Sequence, residues 1–171
     1  MRTGELISVR EYLSTDYEPD CDYVDGFLLE RNVGEKDHGK AQKAIILVFE
    51  AHREEWGVEV FQEQRVQVSP TRFRVPDICV VTAPEPDEQI FTRPPLICIE
   101  VLSPEDRLAA MQQKVQDYIA MGVPYVWIVD PFNFKAYRCT SAGLYEVAEL
   151  RVENSPIVVP LSVIFARIAP R

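Results

Sequence analysis

The chain has 171 residues, of which 47% are hydrophobic and 26% charged, a composition typical of a globular protein. Its 18 basic and 27 acidic side chains give a net charge of −9. This charge argues against sequence-independent coating of nucleic acid, which needs a basic face. It does not exclude an enzyme that meets phosphates through a metal, because metal-binding carboxylates themselves add negative charge. We expect a single domain over residues 1–171.

Targeting signals and cysteine pairs are not apparent. No stretch approaches the ~18 uninterrupted apolar residues of a membrane span, and residues 1–5 lack the apolar core of a signal peptide. The sequence therefore predicts a cytoplasmic protein with no membrane partner. The four cysteines (21, 79, 98 and 139) form no Cys-x-x-Cys pair, and we expect buried free thiols.

Hydrophobic periodicity and turn residues predict an alternation of helices and strands. In chain order they are a helix at 8–13, a hairpin at 21–30, a helix at 37–56, strands at 58–61, 64–68 and 73–81, a loop at 84–95, a strand at 96–102, a helix at 104–121, strands at 125–129, 136–139 and 144–147, and an apolar segment at 157–165. Ser8 and Asp37 are predicted N-caps, while Gly57 and Gly122 are predicted to end helices. Pro76 predicts an irregularity in the 73–81 strand that re-aims a side chain.

The order of strand 96–102, helix 104–121 and strand 125–129 predicts a crossover between two buried parallel neighbours. The remaining strands follow one another as a meander. The predicted fold class is therefore α/β, with a mixed central β-sheet flanked by helices on both faces.

Common catalytic motifs are missing from the sequence. There is no glycine-rich phosphate loop and no Gly-x-Ser-x-Gly nucleophile motif. The two histidines, His38 and His52, do not form a two-histidine zinc helix.

What remains is a pair of acids in apolar strands, Asp77 and Glu100. A buried carboxylate is costly unless it is satisfied, and pairing strands could bring the two within several ångströms. Oxygen ligands of this kind suit Mg²⁺ or Mn²⁺. The alternative is that Asp77 caps a bulge and Glu100 reaches solvent at a strand edge, and the spacing leaves both interpretations open.

Lys114 flanks the buried face of the predicted helix 104–121, next to Met111 and Tyr118. Its long stem could run toward the end of the Glu100 strand, where it could orient water or neutralise a phosphate. The alternative is a surface lysine whose stem packs on the helix.

The chain resembles the Uma-type (Uma-two) endonuclease family, which has the restriction-endonuclease-like PD-(D/E)XK fold. The matching pieces are, in order, YVDG at 23–26, ERNVG at 30–34, His38 opening a helix, VPDI at 75–78, EVLSP at 100–104, Lys114 followed by Tyr118, and GVPYVWIVDP at 122–131. They span roughly residues 20–131.

The resemblance implies roles for individual residues. Asp77 matches the aspartate of the Pro-Asp half-motif and Glu100 the acid of the (D/E)XK half, so both would hold a Mg²⁺ or Mn²⁺ ion, with the Val101 backbone carbonyl as a further ligand. Leu102 stands where the parent motif has lysine. In this family the lysine comes from the following helix, which matches Lys114.

Further residues follow from the same resemblance. Glu30 and His38 match upstream positions that can complete a metal shell, although Glu30 could equally be a solvated hairpin residue and His38 an ordinary first-turn helix residue. Gln113 is a candidate polar neighbour of the site. Expected phosphate contacts are Lys36, Lys40, Lys43, Arg72, Arg74 and Arg107.

The expected function is metal-dependent hydrolysis of phosphodiester bonds, with DNA as the partner. The alternatives are a catalytically idle nuclease-fold module that binds DNA or protein, and metal-dependent hydrolysis of another substrate. Duplex cleavage would favour a homodimer. The apolar segment 157–165 could pack at its interface or complete the core of one chain.

Overall fold

The computed structural model describes residues 6–31, 34–104, 106 and 108–168. Arg107, an expected phosphate contact, lies outside the described residues. The helices are α1 (Val9–Leu13), α2 (Lys36–Ala51), α3 (Arg53–Trp56), α4 (Leu108–Met121) and α5 (Leu161–Phe165). The strands are β1 (Cys21–Val24), β2 (Phe27–Glu30), β3 (Val58–Gln62), β4 (Val66–Ser69), β5 (Arg72–Arg74), β6 (Ile78–Thr82), β7 (Ile97–Val101), β8 (Tyr125–Asp130), β9 (Lys135–Thr140), β10 (Gly143–Val147), β11 (Glu149–Arg151) and β12 (Val158–Pro160).

The largest sheet in the described part of the chain has the strand order β10-β9-β8-β7-β6-β3. Strands β7 and β8 are parallel and connected through α4, while the other neighbours are antiparallel. The predicted mixed sheet and its parallel crossover are therefore confirmed.

Helices cover both faces of this sheet, as predicted. Ile97, Ile99 and Val101 of β7 belong to the core cluster that also contains residues of α2 and α5. Cys98 belongs to the cluster on the opposite face, which contains Met111, Val115 and Tyr118 of α4. Because side chains alternate along a strand, Glu100 must face α4.

The predicted strand 73–81 is interrupted at Pro76, and its two halves belong to different sheets. The first half, β5, lies in a smaller sheet of order β2-β1-β5-β4, which packs its own aromatic cluster around Tyr12, Tyr23 and Phe73. The second half, β6, enters the central sheet. Proline cannot donate a ladder hydrogen bond, and the chain uses this point to pass between sheets.

Helix boundaries differ from the predictions in three places, and one of them is that the predicted helix 37–56 is divided at His52 into α2 and α3. Glu35 occupies the N-cap position of α2, so the prediction of an Asp37 cap is wrong; Asp37 lies in the first turn, where a negative charge favours the helix dipole. Helix α4 begins at Leu108 rather than near residue 104, and the Asp106 carboxylate instead accepts the Ser103 N–H before the helix.

The apolar C-terminal segment packs into the main core. Ile157, Val159 and Ile164 are buried in the same cluster as residues of α2. The packing of these three side chains supports core completion rather than an interface role for this segment.

Two further predictions concern cysteines and membrane helices. All four cysteines are buried and free, as predicted. Among the described residues, no helix combines the length and apolar character needed to cross a membrane.

Candidate active site

Asp77 and Glu100 meet where β6 begins and the antiparallel β7 ends. Ile78 pairs with Ile99, so Asp77, which comes directly before β6, lies on the same side of this pair as Glu100. The Val101 N–H donates to Asp77 Oδ2 at 2.8 Å. The two residues are only 6% and 2% exposed, so the alternative of a solvated Glu100 at a strand edge is wrong.

Lys114 reaches this pair of acids from α4. Its Nζ donates to Glu100 Oε2 at 2.8 Å and to the Val75 carbonyl at 3.1 Å. One turn further along α4, the Tyr118 hydroxyl donates to Glu100 Oε1 at 2.7 Å. The alternative of a surface lysine is therefore wrong, and both oxygens of Glu100 have donors from one helix face.

The Val75 peptide group is held from both sides, which positions the Pro76-Asp77 turn. Its N–H donates to Asp22 Oδ1 at 2.9 Å, and its carbonyl accepts from Lys114. These contacts anchor β1 and α4 to the segment that leaves the small sheet. The Asp77 side chain is consequently placed beside the end of β7, where it accepts the Val101 N–H.

His38 and Gln42 approach Asp77 from successive turns of α2. His38 Nε2 lies 3.3 Å from Asp77 Oδ2, and Gln42 Nε2 donates to the Asp77 carbonyl at 3.0 Å. Gly34 packs against the imidazole so closely that a Cβ there would lie 2.6 Å from His38 Nδ1. His38 is therefore a site neighbour and not simply a first-turn helix residue.

Arg31 is a member of the site that the sequence interpretation missed. Its Nη2 donates to Asp77 Oδ1 at 3.0 Å, and its Nη1 lies 3.6 Å from Glu63 Oε1. It follows the second strand of the hairpin, where no periodic pattern marks it as buried. The only signal was its place beside Glu30 within the ERNVG motif.

The two acids have opposite pKa shifts. Burial, with Asp77 adding to it, raises the pKa of Glu100 to about 7, although Lys114 and Tyr118 oppose the shift. Burial would also raise the pKa of Asp77, but the His38 hydrogen bond, the Lys114 charge and the Val101 N–H together hold it below its usual value. Carboxylates whose pKa values are pushed apart in this way are typical of acid–base sites.

The pKa of His38 results from two opposing effects. Burial lowers it, but the hydrogen bond and the charge of Asp77 prevail and raise the pKa above its usual value. The imidazole can therefore carry a positive charge beside Asp77 near neutral pH.

Arg74 has a structural role, which corrects the expectation of a phosphate contact there, whereas a phosphate contact by the partly exposed Arg72 stays a prediction. Arg74 is 2% exposed and binds Asp22 and Asp117. Arg72 binds Asp117 and Asp25. Their guanidinium groups therefore already neutralise the acids that join β1 and α4 to the small sheet.

The other expected site residues are less buried than Asp77 and Glu100. Glu30 ends β2 with an exposed side chain, and Gln113 is half-buried on α4 beside Lys114. Lys36, Lys40 and Lys43 recur at helical spacing on the outer side of α2, opposite the side that carries His38 and Gln42. Ligand and phosphate roles for these residues stay predictions.

A metal ion at this site would have few protein side chains as ligands. Among the described residues, no group of three or more His, Cys, Asp and Glu side chains could hold one. Mg²⁺, however, commonly takes only one or two protein carboxylates and fills its remaining positions with water and phosphate oxygens. The buried Asp77 and Glu100 carboxylates, near enough for the charge of Asp77 to act on Glu100, fit that pattern.

A solved structure and a family model define the fold class of this chain and the protein family to which it belongs. The chain superposes on the crystal structure of "a putative nuclease belonging to DUF820" from Anabaena variabilis with a TM-score of 0.81, at 20% identity, over 94% of this chain and 98% of that one. The fold is therefore that of a nuclease-like α/β protein. A family model described as "Uma2: Putative restriction endonuclease" matches residues 9–165, and the chain belongs to this family. No curated protein matches it.

Proposed function

We propose that this protein is a Mg²⁺- or Mn²⁺-dependent endonuclease that hydrolyses phosphodiester bonds in DNA. The observation that carries the proposal is the convergence of two buried acids and a lysine: the Asp77 carboxylate accepts the N–H of the residue that follows Glu100, and Lys114 Nζ lies 2.8 Å from Glu100. Membership of the Uma2 family supports the reaction class.

In this proposal Asp77 and Glu100 hold the ion, with the Val101 carbonyl as a further ligand. When bound, such an ion activates water and stabilises the charge that develops on a phosphodiester. Lys114 positions the attacking water, because the Val75 carbonyl holds its Nζ at 3.1 Å independently of Glu100. His38, which lies 3.3 Å from Asp77, is a candidate donor to a phosphate oxygen.

A cleavage assay tests the proposal. Supercoiled, linear duplex and single-stranded DNA are incubated with wild-type protein and Mg²⁺, Mn²⁺ or a chelator. We expect metal-dependent cleavage that falls by about 100-fold or more in Asp77→Asn and Lys114→Ala, the scale of losing a positioned acid–base group. The matched control is Lys135→Ala, because Lys135 pairs with Glu146 at an exposed site.

The competing candidate is a nuclease-fold module without catalytic activity. The observation favouring it is that both acids already have cationic partners, Arg31 on Asp77 and Lys114 on Glu100. Calorimetric titration with Mn²⁺ separates the two. Binding that is lost in Asp77→Asn/Glu100→Gln supports the endonuclease, whereas the absence of binding together with metal-independent DNA retention supports the module.

A further inference from the structure

The Asp77 carboxylate is shared between backbone and side-chain donors. Arg31 donates to Oδ1, while the Val101 N–H and His38 contact Oδ2. The Arg31 side chain is only 14% exposed, so its charge acts on Asp77 with little screening by solvent. A divalent ion on the same carboxylate would lie within a few ångströms of a fixed positive charge.

Glu63 offers the Arg31 guanidinium a second acceptor. Glu63 Oε1 lies 3.6 Å from Arg31 Nη1, beyond hydrogen-bonding distance but within reach of a small shift. The Glu63 backbone is in the left-handed region, with φ of +52°, which is uncommon for a residue with a side chain. Its N–H donates to the Asp77 carbonyl at 3.2 Å, so Glu63 is tied to the same residue that Arg31 binds.

We propose that Arg31 is a competing counter-ion that sets the affinity of Asp77 for a divalent cation, and that Glu63 receives the guanidinium when the cation binds. This inference rests on the proposed function. Arginine keeps its charge throughout the accessible pH range, so the competition is not relieved by deprotonation. Cation binding is thereby coupled to a shift of Arg31 at the end of the β1–β2 hairpin.

The experiment measures Mn²⁺ binding by calorimetry on the full chain, at fixed pH and ionic strength, with circular dichroism to confirm folding. Arg31→Gln should bind Mn²⁺ at least about tenfold more tightly than wild type, because one like charge at this distance is removed. Arg31→Lys, which keeps the charge, should bind within a few-fold of wild type. The matched control is Arg65→Gln: it removes one positive charge from the half-buried Arg65–Asp20 pair and should leave the affinity nearly unchanged.

A double-mutant cycle tests whether Glu63 accepts the guanidinium of Arg31 when the cation binds. Glu63→Gln should weaken Mn²⁺ binding in the wild-type background because the displaced guanidinium loses its acceptor. The same change should have a much smaller effect in the Arg31→Gln background, which isolates the coupling between the two side chains. Equal effects of Glu63→Gln in the two backgrounds would show that Glu63 acts by its charge alone and would overturn its role as acceptor.

Each remaining outcome decides the inference. Unchanged or weaker binding by Arg31→Gln, with Mn²⁺ still bound by wild type, overturns the competition and leaves the proposed endonuclease standing. Binding by Arg31→Gln and not by wild type supports strong competition. Binding by neither protein overturns both proposals.

Discussion

Asp77 and Glu100 are neighbours of the same chemical type with different protonation behaviour, because their donors differ. Asp77 receives a backbone N–H and contacts from two basic side chains. Glu100 is more deeply buried, and the nearby negative charge of Asp77 adds to the cost of ionising it. Close to neutral pH Glu100 can therefore exchange a proton while Asp77 stays ionised.

The raised pKa of Glu100 predicts a pH-dependent stability. Native Glu100 keeps its proton up to about pH 7, whereas the unfolded side chain loses it near pH 4.5. The native state therefore binds more protons between these values, and the free energy of unfolding should fall as pH rises through this window. The contribution is on the order of 3 kcal/mol.

Urea unfolding between pH 4.5 and 7.5 in the presence of a chelator measures this effect. The free energy of unfolding of wild type, relative to that of Glu100→Gln, should fall as the pH rises, because only wild type has the Glu100 carboxyl. Asp77 and His38 titrate in both proteins, so their contributions cancel in this comparison. If the free energy of unfolding varied with pH in the same way in both proteins, the raised pKa of Glu100 would be contradicted.

At the scale of elements, the passage from β5 to β6 decides where the site forms. Arg74 ends β5 and binds Asp22 of β1 and Asp117 of α4. The same Asp22 holds the Val75 N–H. A single buried ion cluster thus joins the small sheet, α4 and the turn that carries Asp77.

Arg74→Met tests this junction. Removal of the Arg74 guanidinium leaves the buried carboxylates of Asp22 and Asp117 with fewer cationic partners. We therefore expect a loss of about 3 kcal/mol in the free energy of unfolding. Arg151→Met is the matched control, because the Arg151–Glu149 pair is exposed and should contribute less than about 1 kcal/mol. Urea unfolding at pH 7 measures both, and equal losses would show that the buried cluster does not hold the junction.

At the scale of the whole molecule, the C-terminal segment closes the core on the face of the sheet opposite Glu100. Ile164 of α5 is fully buried there, whereas its neighbour Val163 is 43% exposed. The segment therefore contributes to one chain's own core, and a homodimer, if duplex cleavage requires one, should use another surface.

Ile164→Ala should lower the free energy of unfolding by about 2–5 kcal/mol, the usual cost of emptying a core position, while Val163→Ala should change it little. The melting temperatures of wild type and both variants should depend on protein concentration to the same extent, because neither substitution changes a subunit interface. A concentration-dependent melting temperature that Val163→Ala abolishes would instead place the segment in an interface.

Much of the candidate site could be anticipated from short-range patterns. An acid inside an apolar strand is conspicuous because its burial must be compensated, which directed attention to Asp77 and Glu100. Lys114 was recognisable from its helical spacing beside Met111 and Tyr118. Arg31 and Gln42 gave no comparable signal, because a polar residue after a hairpin strand or within a surface helix is usually solvated.

The sequence by itself determined the order and kind of most elements, the two-sided burial of β7, the free cysteines and the family motifs. These features depend on hydrophobic period, turn residues and spacing, which act over a few residues. Only the tertiary structure decided that Arg74 is internal, that 73–81 divides between two sheets, and that Arg31 and His38 converge on Asp77. Such contacts join residues 39 or more positions apart, and their formation depends on how sheets and helices pack rather than on any local pattern.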